Sequence, residues 1–200
     1  NMDMYFGHVL SGPDAAIPAY ADSATGGPGV SSCFGQGASD RRIRAGEMVS
    51  IDTMMNCQGY LNDQTRNFCI GSPPSRLEEA YRFVQEIHGR FREAARPGTV
   101  TGELYNLVLA WVRQAGLSEW FMGYGAAQTA FVGHGLGIEV DELPFIAQGQ
   151  RVVLQEGMTF AFEPKFIFPG LGIAGLENTC LVRSGGLESL NTATEELVIC

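Results

Sequence analysis

The chain has 200 residues, 45% of them hydrophobic and 18% charged, with 22 acidic against 13 basic side chains and a formal charge of −9. This is enough chain for one domain with a real core. An acidic surface without a basic stripe argues against nucleic-acid and anionic-membrane partners, and no apolar run reaches the roughly 18 residues that a bilayer span needs.

The opening Asn1-Met2-Asp3-Met4-Tyr5-Phe6 has neither a basic region nor a signal-like core, which points to the cytoplasm. Strand-like text begins at once, around His8. Residues 1–45 are rich in Gly, Pro, Ser and Ala, and 21–29 read as a loop. Gly46 opens a turn into a strand ending near Asp52; Gly59-Tyr60 marks a bend, and 61–70 return as a second strand closed by Pro73-Pro74. A helix is predicted over 75–95, with Ser75 and Glu78 in a capping-box pattern and Leu77, Tyr81, Val84, Ile87 and Phe91 at helical spacing. His88, beside Arg90 and Arg92, falls on its charged side and reads as solvated. A second helix starts near Thr101, carries Leu104, Val108, Trp111 and Ala115, and stops at Gly116. From Thr129 the chain returns to strands: 131–137 running into 138–143, then 157–163 with 171–182 as its partner. Strand pairs around two helices give an α+β class.

Five potential metal ligands stand in order through this pattern: Asp52, Asp63, His134, Glu163 and Glu177. Gly46 precedes Asp52 by the same interval as Gly157 precedes Glu163, and each of these acids is followed by another in the next strand. That repeat suggests two strand pairs related by a pseudo-two-fold axis, with a site at the centre. Asp52 and Asp63 on one face of paired strands repel unless a cation or proton intervenes. Glu163 ends the apolar run Thr159-Phe160-Ala161-Phe162, and Glu177 follows residues 170–176, so both are expected to be buried and in need of partners. Lys165 is the one basic neighbour in these segments, and cations from outside the chain are expected to balance all four carboxylates. Such oxygen-rich sets with one imidazole suit divalent ions that activate water. The five cysteines show no zinc-finger spacing and read as reduced thiols; Cys57, although between the aspartates, is a poor match for hard oxygen ligands. Ser11 and Ser32 lack a nucleophile-elbow context.

The motifs resemble those of the pita-bread metallohydrolases, the family of aminopeptidase P, prolidase, methionine aminopeptidase and creatinase. The carriers are Asp52, Gly59-Tyr60 and Asp63-Gln64-Thr65-Arg66, then Gly133-His134-Gly135-Leu136-Gly137, then Glu163-Pro164, then Glu177-Asn178-Thr179, together spanning residues 5–198. The resemblance implies a pita-bread catalytic domain over 1–200, truncated and lacking the two helices that normally precede the first strand pair. A sheet face left bare by those helices would be exposed or covered by a second copy, as in a homodimer. It implies two divalent ions (Mn, Co, Zn or Fe), with Asp52 chelating one, Asp63 and Glu177 bridging, and His134 and Glu163 completing the other. A water bridging the ions would attack the scissile amide of a peptide substrate, most nearly one with proline in second position, and Glu163 would shuttle its proton.

Two positions depart from the peptidase pattern. Where those enzymes carry a histidine upstream of the first aspartate, this chain reads Cys33-Phe34-Gly35-Gln36. Asp141-Glu142 stands in place of His-Glu, so Asp141, an acceptor only while ionised, replaces a donor to the substrate or intermediate. Proline-specific members also often have an arginine where Gly175 stands. The catalytic set implied is Glu163, Asp141 and His134. The departures leave open another reaction on the same fold, a lyase (as in dimethylsulfoniopropionate lyase) or a C–N hydrolase, or a non-catalytic binding module.

Overall fold

A hairpin organises the first half of the chain. A computed structural model describes residues 5–19 and 23–200; residues 1–4, which carry most of the opening segment, and residues 21 and 22 of the expected 21–29 loop lie outside the described residues. Strand β1 (Tyr5–Ser11) leads through a 3-10 turn (Gly12–Ala16) and a long loop to β2 (Met48–Cys57) and β3 (Tyr60–Cys69). Gln58 and Gly59 both take positive φ, so a two-residue turn joins β2 to β3 and pairs Cys57 with Tyr60. Helices α1 (Ser75–Ala94) and α2 (Thr101–Gln114) follow. The second half contains β4 (Phe131–Gly135), β5 (Glu142–Ala147), β6 (Thr159–Phe162), β7 (Lys165–Phe168), β8 (Gly172–Gly175), β9 (Asn178–Arg183), β10 (Gly186–Ser189) and β11 (Val198–Ile199).

Two sheets and a ribbon result. The first sheet has the order β1-β2-β3-β11, the second β10-β9-β6-β4-β5, and β7 pairs with β8 alone. The class is α+β, as expected. Three local expectations change. Residues 136–141 form the connection between β4 and β5, tightened by the Gly137 N–H to Glu139 O bond at 3.2 Å, so the strand expected over 138–143 begins at Glu142. The strand expected over 171–182 divides into β8 and β9. Ser75 is the first helical residue rather than the cap; Pro74 precedes it and no side chain caps the helix.

Helix α1 buries Leu77, Tyr81, Val84, Ile87 and Phe91, as its spacing predicts, and His88 with them. The ring of Phe91 stacks on Phe162 of β6, with centroids 3.7 Å apart, which fixes α1 to the second sheet. On α2 the buried stripe is Leu104, Tyr105, Val108 and Val112; Trp111 is half-buried and Ala115 exposed, because 104, 108 and 112 repeat every four residues along one face. Among the described residues no helix is long and apolar enough to cross a membrane.

Candidate metal centre

Register brings the acids together. In the β2–β3 pair Asp52 faces Thr65 and Met54 faces Asp63, so the two aspartates are diagonal neighbours on one face of the sheet. His134 comes from the middle of β4, which runs between β5 and β6. Its flanking glycines allow that approach: a Cβ at Gly133 would lie 2.5 Å from Ala161 O, and one at Gly135 2.4 Å from Glu142 O.

The two glutamates occupy breaks in the strands. Pairing of β6 with β9 ends at Phe162↔Asn178 and resumes between β7 and β8 at Lys165↔Gly175. Pro164 has no N–H to continue the ladder, and residues 163–164 lie outside any strand. Glu163 N–H donates instead to Val132 O at 3.0 Å, and Glu177 N–H to Thr65 O at 3.2 Å. Each acid is thus anchored by its backbone while its side chain points between the sheets. This is also why 171–182 divides.

All five expected ligands meet in one region. Asp63, His134 and Glu177 each offer one ligand atom within 4.8 Å of the others. From His134 Nε2, Glu163 Oε1 is 3.6 Å away, Glu177 Oε1 3.9 Å and Asp63 Oδ2 4.0 Å. His134 Nδ1 lies 3.4 Å from both Gly135 O and Asp141 Oδ1, so a proton on Nδ1 leaves the Nε2 lone pair aimed at the acids. Asp141 sits at the rim with its side chain 65% exposed. Cys57, at the exposed end of the hairpin, stands clear of the centre, and the five cysteines are unpaired among the described residues.

The expectation that all four carboxylates wait on an external cation needs correction. Lys165 turns inward, 4% exposed, with Nζ 3.0 Å from Asp52 Oδ2, 2.7 Å from Glu163 Oε2 and 3.3 Å from Glu177 Oε2. Thr65 Oγ1 donates to the same Glu177 oxygen at 2.6 Å. The signal for this was present: a lone lysine opening the otherwise apolar β7, two residues past an acid. It was not decisive because only the strand break decides which way Lys165 faces.

The electrostatics follow this division. Burial works against the charge on Asp52, yet Lys165 and His8 hold its carboxyl below the usual range. Asp63, 6% exposed and without an ammonium partner, is pushed up to about 10 by burial and then by Glu177, Asp52 and Glu163. Its Oδ1 has no hydrogen-bond partner among the described residues. Glu177 rises to about 7 through burial, with Lys165 opposing. Burial lowers the basicity of His134, but Glu163, Glu177 and Asp141 outweigh it and raise the imidazole. The orphaned oxygen and the raised carboxyls mark a site short of positive charge, and the donors (carboxylate oxygens and one imidazole) fit a divalent ion there.

A cavity of about 240 Å³ opens onto the centre, with His8, Gln36, Phe131 and Asp141 among its walls. His8, paired across the sheet with Asp52, was legible only as a histidine near the start. Gln36 lines the cavity from the segment where the resemblance leads one to look for a histidine.

Paired strands from two halves closing on a buried acidic centre with one imidazole define a pita-bread domain whose centre is lined by residue types that ligate metals. The chain belongs to metallopeptidase family M24, whose family model matches residues 1–184. A Xaa-Pro dipeptidase of Pyrococcus furiosus is 35% identical over 161 residues, which is 80% of this chain and 44% of that protein. Among solved structures, dipeptidase PepE from Mycobacterium ulcerans superposes with a TM-score of 0.81 at 30% identity, covering 97% of this chain and 46% of that one. Prolidase from Pyrococcus horikoshii gives 0.79 at 31%, covering 96% and 49%. The chain therefore spans about half the length of these relatives or less.

Proposed function

We propose that residues 1–200 are the catalytic domain of a divalent-metal-dependent exopeptidase of the Xaa-Pro dipeptidase or aminopeptidase type. The observation that carries this is the convergence of Asp63, His134 and Glu177, with an orphaned buried oxygen on Asp63, at the floor of an open cavity. The names of the relatives point the substrate class toward peptides with proline in second position.

When bound, a divalent ion supplies Lewis acidity and an activated water at this floor. The chain's own residues prepare the rest. Glu163 has one oxygen tied to Lys165 and the other turned toward His134 Nε2, a placement that lets it accept a proton at the floor without swinging away. His134 is kept in the ligating tautomer by Gly135 O and Asp141. Asp141 is thus a positioning residue for His134, and the part played elsewhere by a donor histidine is left to other cavity groups. The residues fit one ion at Asp63, His134 and Glu177; the second of the two ions that the resemblance implies meets the Lys165 ammonium. Manganese, cobalt, zinc or iron all suit the donor set. A cytoplasmic homodimer completes the reading, supported by the exposed Val9 and Met55 on the face of the first sheet turned away from the centre.

The test is release of proline from a panel of Xaa-Pro peptides by the metal-loaded protein, beside Asp63→Asn. Removing a ligand charge should cut both metal content and kcat/KM by at least about 100-fold. Full metal content in the variant, or no cleavage of any Xaa-Pro peptide by loaded wild type, would sink the assignment.

A further inference from the structure

The acidic centre is divided in two, and one side already holds a cation. Glu163 and Glu177 each turn one oxygen toward Lys165 Nζ and the other toward His134 Nε2. Asp52 belongs to the lysine side, 3.0 Å from Nζ. Asp63 belongs to the imidazole side: the ammonium bonds to Asp52, Glu163 and Glu177, and Asp63 Oδ1 is left with no hydrogen-bond partner among the described residues. Thr179 Oγ1 reaches Asp63 through its backbone and not its carboxylate, accepting from its N–H at 3.0 Å and donating to its carbonyl at 2.9 Å.

The lysine is built in. It begins β7, where Phe166, Ile167 and Phe168 are all buried, and it pairs across the ribbon with Gly175. A Cβ at Gly175 would stand 2.5 Å from Lys165 Cγ, so the missing side chain at 175 is what leaves a lane for the lysine stem. Withdrawing the ammonium would strand the buried Glu163 and Glu177 and the half-buried Asp52 on like charge.

We propose that the Lys165 ammonium permanently fills one of the two cation positions of this centre, so that the protein binds a single divalent ion, at Asp63, His134 and Glu177. The inference deepens the metal-hydrolase reading above and rests on it. Four carboxylates against one ammonium and one divalent ion leave one negative charge, whereas a second divalent ion would have to sit against the ammonium and repel it. The two glutamates do here what bridging ligands do between two metals, with nitrogen in place of one of them.

Manganese stoichiometry in the purified full chain tests this. After loading with Mn(II) and removal of excess, elemental analysis should give one Mn per chain, and the low-temperature EPR spectrum should be that of an isolated Mn(II) ion. Lys165→Ala, and Lys165→Gln as a variant that keeps most of the stem, should take up a second ion and show a spin-coupled pair. Two Mn per chain or a coupled spectrum in wild type overturns the proposal, as does a folded Lys165 variant that stays at one. If neither variant folds, the wild-type stoichiometry and spectrum still decide. Absence of any bound metal in wild type would overturn the metal-hydrolase reading as well, which separates that failure from a two-ion result.

Discussion

His88 lies one helical turn beyond Val84 and next to Ile87 on α1, which puts it on the buried stripe despite Arg90 and Arg92 nearby. It is 1% exposed, set edge-on to Phe162 at 4.8 Å, and its Nε2–H donates to Leu176 O at 2.9 Å, the carbonyl just before Glu177. Burial lowers its pKa from 6.5 to about 3, with Arg92 and Arg66 adding to the shift and the Leu176 bond opposing it. The folded value lies below the unfolded one, so between these limits the unfolded chain binds the extra proton. The stability this residue contributes is complete above the unfolded value and declines as pH falls, by about 1.4 kcal/mol per pH unit. Wild type should therefore lose stability from pH 6.5 to 4.5 more steeply than His88→Gln, followed by urea denaturation. Parallel slopes would contradict the burial argument. Neighbouring arginines suggested solvent here, but helical position outranks sequence neighbours in deciding which side chains are buried.

At the scale of elements, α1 and the β6–β9 strands form the layer behind the centre. The Phe91–Phe162 stack joins them at full burial. Phe91→Ala should cost about 3–5 kcal/mol, since the layer is too tightly packed to close over the gap; a loss below about 1 kcal/mol would mean the helix can resettle. Periodicity was sufficient to locate α1 and the β2–β3 hairpin because both are defined by local repeats. It was insufficient for 171–182, where Gly172 through Val182 contains no turn residue that forces a division. The interruption comes from Pro164 on the opposite strand, a partner that local pattern cannot supply.

Across the whole molecule, Arg66 links the halves. Its Nη1 donates to Thr65 O at 2.9 Å and Glu177 O at 2.6 Å, and its Nη2 to Asn178 Oδ1 at 2.8 Å and Ala193 O at 3.2 Å. One guanidinium thereby ties β3 to the Glu177 segment and to the chain beyond β10. Arg66→Met removes the donors and strands the Glu177 carbonyl and Asn178 Oδ1, while Thr65 O keeps the Glu177 N–H, at about 1–3 kcal/mol for each group stranded. The variant should unfold at least about 2 kcal/mol more easily and bind Mn(II) more weakly, because the Glu177 carbonyl loses its donor. Unchanged metal affinity would show that the hairpin alone positions Glu177.

The order Asp52, Asp63, His134, Glu163, Glu177, the α+β class and the family motifs were all readable from the chain, because each rests on residue types at short spacing. What faces what was decided only on folding. Lys165 among the acids, Gly175 making room for its stem, Asp63 left without a cation and His88 inside the core all depend on strand breaks and helix packing between residues far apart in sequence. Charge pairing in a buried centre is a property of distance in space, and no local pattern encodes it.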